Sequence, residues 1–406
     1  MHIIDPIRYQ KGSKKSHWRK VATLCIICLV LIAGVGAINY FRPLPASTAS
    51  IELLLPPSKA PDLKWPTAGQ AAIAADSLGL LSTNGEQGSV ATASTAKVII
   101  ALCVLNKDPL QTGQTGPTFT VSASDVNIFN DYVAEDGSLL PVEQGEQITE
   151  YEALEALMVP SANNVADSLA QWVFGSQSAY RTYANDFLLH NHIYNTHIGV
   201  DASGFDPSTT STASDLAQLG LLSLRSPILM QISSQKTATL PIAGTVSNYD
   251  TVLGQEGING LKTGNNDSDK GAFIFTSSAA VGTKVIPLTG AIMGAASLQD
   301  ALSESVQLAG SFQQGFQQVT IAHADQRVGH ITTAWGEVVP VTISNNLQLV
   351  RWVATPLSQH YTENLKNVSG NIGKVTISAG PANASATLTL VHSIAPPSFL
   401  WRLSRL

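Results

Sequence analysis

Thr92-Ala93-Ser94-Thr95-Ala96-Lys97-Val98-Ile99-Ile100-Ala101-Leu102 is the stretch that decides the reading of this chain. It sets a serine three residues ahead of a lysine, at the start of an apolar run that continues to Leu105. Positions i and i+3 share one face of a helix, so Ser94 Oγ and Lys97 Nζ are expected to meet. Apolar side chains all round predict a helix buried on every side. Burial disfavours the charged amine and lowers the lysine pKa, and a neutral amine beside a hydroxyl is a general base beside a nucleophile. The same spacing recurs at Ser233-Ser234-Gln235-Lys236. A helix N-cap next to a snorkelling lysine would also produce it without any chemistry. Two further motifs decide between these readings.

With 406 residues the chain has room for two or three domains and a sizeable core. Hydrophobic residues make up 44% and charged residues 13%, which excludes wholesale disorder. The net charge of −6 is uneven: the first twenty residues carry Arg8, Lys11, Lys14, Lys15, Arg19 and Lys20 against Asp5. The remainder is acidic, which argues against a nucleic-acid partner. Of three cysteines, Cys25 and Cys28 lie in an apolar segment as packing or acylation residues, leaving Cys103 with no partner for an internal disulfide.

Val21 to Tyr40 is an uncharged apolar run that reaches about 30 Å as a helix, the thickness of a bilayer core. The basic residues 1–20 are expected to stay in the cytoplasm, placing everything after 21–40 outside. A cleaved signal peptide ending near Pro45-Ala46-Ser47 competes, but the run exceeds a usual signal core, so a retained anchor is favoured. Residues 41–68 hold six prolines and read as a semi-extended extracytoplasmic tether that holds the next domain off the membrane.

Gln70 to Ala75 and Gly79 to Leu81 read as strands, with a loop at Thr83-Asn84-Gly85. A further strand is expected at Thr118 to Val121 within mixed polar sequence. Thr149-Glu150-Tyr151-Glu152 is a capping box opening a helix that Pro160 ends. Ser161-Ala162-Asn163 then falls in an interhelical turn before a helix over Val165 to Trp172. Helices are also expected over Ala179 to Leu189 and Asp215 to Leu224. From Asn259 the pattern turns to strands: one edge at Lys262-Thr263-Gly264, then Gly271 to Thr276 and Lys284 to Met293, followed by an amphipathic helix over Ser297 to Phe312. Beyond Phe316 strands are expected at 319–322, 336–344, 347–353, 373–378 and 386–392, a small all-β module. Pro397 to Leu403 is apolar with basic residues, too short to span a membrane, and suits either the headgroup region or the β module.

Three motifs therefore stand in order: Ser94-x-x-Lys97, Ser161-x-Asn163 and Lys262-Thr263-Gly264. Ser82-Thr83-Asn84, Ser344-Asn345-Asn346 and Ser369-Gly370-Asn371 also fit the second pattern. Order removes them, since Ser161 alone between Lys97 and Lys262 has asparagine two residues on, and Lys-Thr-Gly occurs once.

This set resembles the serine penicillin-binding proteins and β-lactamases, and within them the low-molecular-mass D-alanyl-D-alanine carboxypeptidases. The similarity runs from about Ala71 to Phe316. It is specific around Ala93 to Leu102, Met158 to Asn164 and Gly260 to Gly264. It departs at Ala96, Ala162 and Asn259, where many members carry threonine, glycine or aspartate, and aspartate. The first two are not reacting groups; the third bears on support of the Lys262 strand. The resemblance implies an α+β fold. Residues 69–316 would form a transpeptidase-like domain, an antiparallel sheet flanked by a helical cluster, with a small all-β domain at 317–406 and the N-terminal transmembrane helix.

By the same resemblance Ser94 is the nucleophile, Lys97 the general base, Ser161 a proton relay and Asn163 a positioning residue. Lys262, Thr263 and Gly264 would bind substrate, and the backbone N–H groups of Ser94 and Asn265 would be the oxyanion donors. The implied activity removes the terminal D-alanine of peptidoglycan stem peptides through an acyl-enzyme, with acylation by β-lactam antibiotics, at a bacterial cell membrane crossed once. The motifs suit a D,D-transpeptidase or endopeptidase too. A class A β-lactamase would need a glutamate after the second motif, and none occurs between Glu155 and Glu256. A wall-binding pseudoenzyme is disfavoured because every reacting side chain is present. His190-Asn191-His192 lacks metal-site context and the other histidines are scattered, so no metal or cofactor is expected.

Overall fold

A computed structural model describes residues 14–266, 270–365 and 369–405. The basic residues Arg8 and Lys11 lie outside the described residues. The chain opens with α1 (Lys14–Phe41), long and apolar enough over His17–Phe41 to cross a membrane. Strand β1 (Thr48–Ile51) follows, then β2 (Gln70–Ala75) and β3 (Gly79–Asn84). A 3-10 turn at Ala93–Ala96 leads into α2 (Lys97–Lys107). The helical cluster continues with α3 (Ala123–Ala134), α4 (Glu150–Met158), α5 (Asn163–Phe174), α6 (Gln177–His190), α7 (Ala213–Ser223) and α8 (Pro227–Ser233). Three strands, β4 (Leu261–Asn266), β5 (Lys270–Val281) and β6 (Lys284–Ala295), precede α9 (Leu298–Gln314).

These strands form a five-stranded antiparallel sheet in the order β4-β5-β6-β2-β3, so β4 is an edge. Side chains alternate across a pleated sheet, and here both faces are covered. Phe273, Phe275, Ile73 and Ile292 pack against Leu302, Leu308 and Phe312 of α9. Ile274, Ala291, Ala72 and Ala74 pack into the helical cluster with Val98 to Val104 of α2. That second core surrounds α2, as its apolar composition predicts.

The rest is β-rich: β7 (Phe316–Ala322), β8 (Arg327–Thr332), β9 (Val338–Ile343), β10 (Leu347–Trp352), β11 (Ser358–Glu363), β12 (Asn371–Ala379) and β13 (Ala382–Leu390). A six-stranded sheet runs β1-β8-β9-β13-β12-β11, while β7 pairs with β10. The rings of Phe312, Phe316 and Trp352, packed edge-on and tilted, join this module to the base of α9.

Three expectations need correction. The 41–68 stretch is not a free tether. Its β1 pairs with β8, Ser50 opposite His330, and Ile51, Leu53 and Leu55 pack on the β-module core. Further on, Arg351 donates to Pro57 O at 2.7 Å, and Leu63 and Trp65 pack under α9. Prolines fix φ but leave neighbouring apolar side chains free to bury. Second, β3 extends to Asn84, which pairs with Ala71, so the β2–β3 turn lies at Asp76-Ser77-Leu78 rather than Thr83-Asn84-Gly85. Third, α3 occupies sequence read as mixed and polar; it is opened by a capping box between Ser122 and Asp125.

The C-terminal apolar segment forms α10 (Phe399–Ser404), which packs on the β module and on the end of α1. Trp401 meets Trp335 of the β module at 5.8 Å between ring centroids. Arg402 lies over Tyr40, and Arg405 donates to Asn39 O at 2.8 Å, satisfying the terminal carbonyls of α1.

Glu150 opens α4 behind the Thr149 cap with both carboxylate oxygens buried and unpartnered among the described residues. Burial first, then the charge of Asp108, pushes its pKa up to about 7. A carboxyl raised in the fold is stabilised there in its neutral form. Stability therefore falls as pH rises from its unfolded pKa of about 4.3 towards 7 and is flat above. Glu150→Gln is expected to raise the melting temperature more at about pH 8 than at about pH 5. Equal shifts at the two pH values would show that Glu150 does not titrate with folding.

Candidate active site

Ser94 sits in the 3-10 turn rather than on α2 itself, and Lys97 is the first residue of the helix. A 3-10 turn eclipses i and i+3, so the expected contact survives the change of helix type. Lys97 Nζ lies 2.8 Å from Ser94 Oγ. The turn is pinned by Thr95, whose hydroxyl donates to Thr92 O at 2.7 Å. Ala93 adopts φ 46°, a conformation unfavourable for a residue with a Cβ, immediately before the serine.

Lys97 is fully buried. Its amine also reaches Asn163 Oδ1 at 2.7 Å and the Ser203 carbonyl at 3.0 Å. Burial chiefly, then the Lys262 ammonium, drives its pKa well below the ordinary lysine value, opposed by Asp201 and Asp167. Buried Lys262 reaches its neighbour's carbonyl, Thr263 O, at 3.1 Å. Burial lowers the Lys262 pKa to about 7 and the Asp250 carboxylate works against that shift.

The second motif falls where α4 ends and α5 begins. Ser161 is 3% exposed with φ 62°. Asn163 N donates to Ser138 O, and Asn164 exchanges two 2.9 Å hydrogen bonds with the backbone of Leu140. The 137–140 loop is thereby tied to the turn that presents Asn163. Lys262, Thr263, Gly264 and Asn265 follow one another along edge strand β4, Thr263 opposite Phe273 and Asn265 opposite Gly271.

Gly264 has a further reason to be glycine. A Cβ there would lie 3.1 Å from Thr92 O and 3.2 Å from Thr95 N, so the bare backbone lets β4 lie close against the serine turn. Asn259, one of the departures, accepts from Thr276 Oγ1 at 2.7 Å and so supports the start of β4 against β5. The structure thus brings Ser94, Lys97 and Asn163 into direct contact, and sets the Lys262 strand against their turn. The decoy behaves otherwise: Ser233 is buried and donates to Leu229 O, while Lys236 is exposed.

The three motifs leave out Tyr132, Asp167, Asp201, Ser203 and Asp250, which act on the two lysines through hydrogen bonds or charge. The capping box of α3 was the available signal for Tyr132. Nothing in local spacing marks the others, because they meet only through the tertiary fold.

A serine–lysine turn at the foot of a buried helix, beside the edge strand of a helix-covered antiparallel sheet, defines the fold class of the penicillin-binding proteins. Solved structures of that class share the fold. Penicillin-binding protein 6B from Escherichia coli superposes with TM-score 0.59 at 21% identity, over 84% of this chain and 100% of that one. The peptidoglycan synthesis regulatory factor PBP3 from Streptococcus pneumoniae superposes with TM-score 0.60 at 18% identity, over 81% and 99%. The family model for D-alanyl-D-alanine carboxypeptidase matches residues 64–297, and the chain belongs to that family. It is similar to the D-alanyl-D-alanine carboxypeptidase DacD of Escherichia coli K12, 26% identical over 229 residues. That alignment takes in 55% of this chain and 56% of DacD, so the chain spans little more than half the length of this curated relative.

Proposed function

We propose that this protein is a serine-type D-alanyl-D-alanine carboxypeptidase that trims the terminal D-alanine from peptidoglycan stem peptides. The observation that carries the reading is the 2.8 Å Ser94–Lys97 contact on a lysine with no solvent around it. A neutral amine has two N–H groups and one lone pair. Asn163 Oδ1 and Ser203 O accept the two N–H groups, which leaves the lone pair aimed at the Ser94 hydroxyl.

Ser94 Oγ attacks the penultimate D-alanine carbonyl while Lys97 takes its proton. The oxyanion is met by the backbone N–H groups of Ser94 and Asn265. Collapse of this intermediate breaks the peptide C–N bond, and Ser161 passes the proton from Lys97 to the leaving amine. Water then cleaves the Ser94 ester. The substrate lies along the free edge of β4 as an added strand, its terminal carboxylate held by Lys262 and Thr263. β-Lactams enter the same step. With no glutamate between Glu155 and Glu256, and Glu155 itself accepting from Gln235, the penicilloyl ester is released slowly. Helix α1 anchors the enzyme in the cell membrane with the site on the outer side.

The direct test is release of D-alanine from a peptide ending in D-Ala-D-Ala, compared with one ending in L-alanine. Release from the first alone is expected; release from neither would contradict the reading. The Lys262 grip also has a pH signature. Its charge is lost as pH rises through about 7 in the free enzyme, so kcat/KM should decline on the alkaline side through a rising KM. Lys262→Arg, which keeps its charge, is expected to move that decline to higher pH. An unchanged alkaline limb would show that Lys262 does not hold the carboxylate.

A further inference from the structure

Beyond the Ser203 carbonyl that Lys97 contacts lies a network of acidic and hydroxyl groups drawn from three distant segments. Asp167 of α5 accepts from the Tyr132 hydroxyl of α3 at 2.8 Å and from Ala202 N at 2.9 Å. The Tyr132 hydroxyl also stands 3.2 Å from Ser203 Oγ, and Ser203 Oγ donates to Asp201 Oδ2 at 2.5 Å. Asp201 Oδ2 takes Phe205 N as well, closing the loop on itself. The carbonyl that this loop offers outward is Ser203 O, the one on Lys97. Its neighbour Gly204 is pressed so tightly on the serine turn that a Cβ would fall 2.2 Å from Ala93 O.

We propose that Tyr132, Asp167, Asp201 and Ser203 are positioning residues: they hold the Lys97 amine on Ser94 through the Ser203 carbonyl, and their carboxylates offset the Lys262 charge. The proposal rests on the catalytic reading above and deepens it. Two buried amines stand near each other, and burial together with mutual repulsion would make Lys97 so weak a base that it transfers a proton poorly. Negative charge behind it restores basicity. The charged and titratable groups around Lys97 are Lys262 on β4, Asp167 on α5 and Asp201 in the 201–206 loop. Tyr132 of α3 and Tyr180 of α6 face the carboxylates, and burial holds both phenols protonated. Burial likewise raises the Asp167 pKa to about 6, so its charge is present above that pH.

The test is the pH profile of the acylation rate of the full chain by a fluorescent penicillin, for the wild type, Asp167→Asn and Asp201→Asn. Asparagine keeps the shape of the side chain and removes the charge, and thermal unfolding checks that each variant is folded. Loss of either charge is expected to move the acid limb down by about one pH unit, with a lower plateau. A uniform fall at every pH with an unmoved limb, in a folded variant, would overturn the network proposal alone. An acid limb moved upward would overturn it too. A wild type that takes no label would instead overturn the catalytic reading on which it rests.

Discussion

The Ser94→Ala protein is expected to lose D-alanine release and penicillin labelling together, by at least about 10⁴-fold. The substitution removes one oxygen from a site whose other parts are held independently. Lys97 keeps Asn163 Oδ1 and Ser203 O, and the turn keeps its Thr95–Thr92 bond. Among the described residues no other side-chain hydroxyl is hydrogen-bonded to the Lys97 amine. Ser161 is positioned by a different turn, at φ 62° between two helices, two residues before the Asn163 anchor. The fold should be unaffected, because Ser94 is a half-buried side chain on a turn fixed by its neighbours' backbone. Release that persists in this variant would assign the reaction to another residue.

The second large effect is expected at Lys97, and here activity and stability should part. Lys97→Met is expected to lower acylation by about 10³-fold, the scale of a lost general base. A buried amine stabilises the fold little, since its desolvation offsets its hydrogen bonds. Methionine fills a similar volume within the apolar helix α2. The melting temperature should therefore hold or rise. The comparison needs only calorimetry beside the labelling assay. A variant that labels at the normal rate would show that Lys97 is structural, and a collapse in stability would show that its three hydrogen bonds outweigh desolvation.

Much of this candidate site was legible because the residues proposed for it lie close together in sequence. Ser94 and Lys97 are separated by one turn, Ser161 and Asn163 by one residue, and Lys262 to Asn265 are consecutive along one strand. Spacing that short survives any error in element boundaries, even the exchange of an α-turn for a 3-10 turn. The support behind Lys97 was not legible for the opposite reason. Tyr132, Asp167 and Asp201 are separated by tens of residues, and each taken alone reads as an ordinary surface or core residue. The β1 strand was hidden in the same way. Its partner, β8, lies far along the chain, and a strand added at a sheet edge needs only a few residues, too few for an alternating pattern to show. The β2–β3 turn was not legible because Asn84-Gly85 is a strong local turn signal, yet Asn84 pairs with Ala71 across the sheet.

The central claim is that Ser94 is the acylated nucleophile. Mass spectrometry of the intact chain after exposure to benzylpenicillin, followed by peptide mapping, tests it most directly. One penicilloyl adduct per chain is expected, carried on the peptide that contains Ser94 and persistent through the measurement. An adduct on another residue, or an unmodified chain, would contradict it.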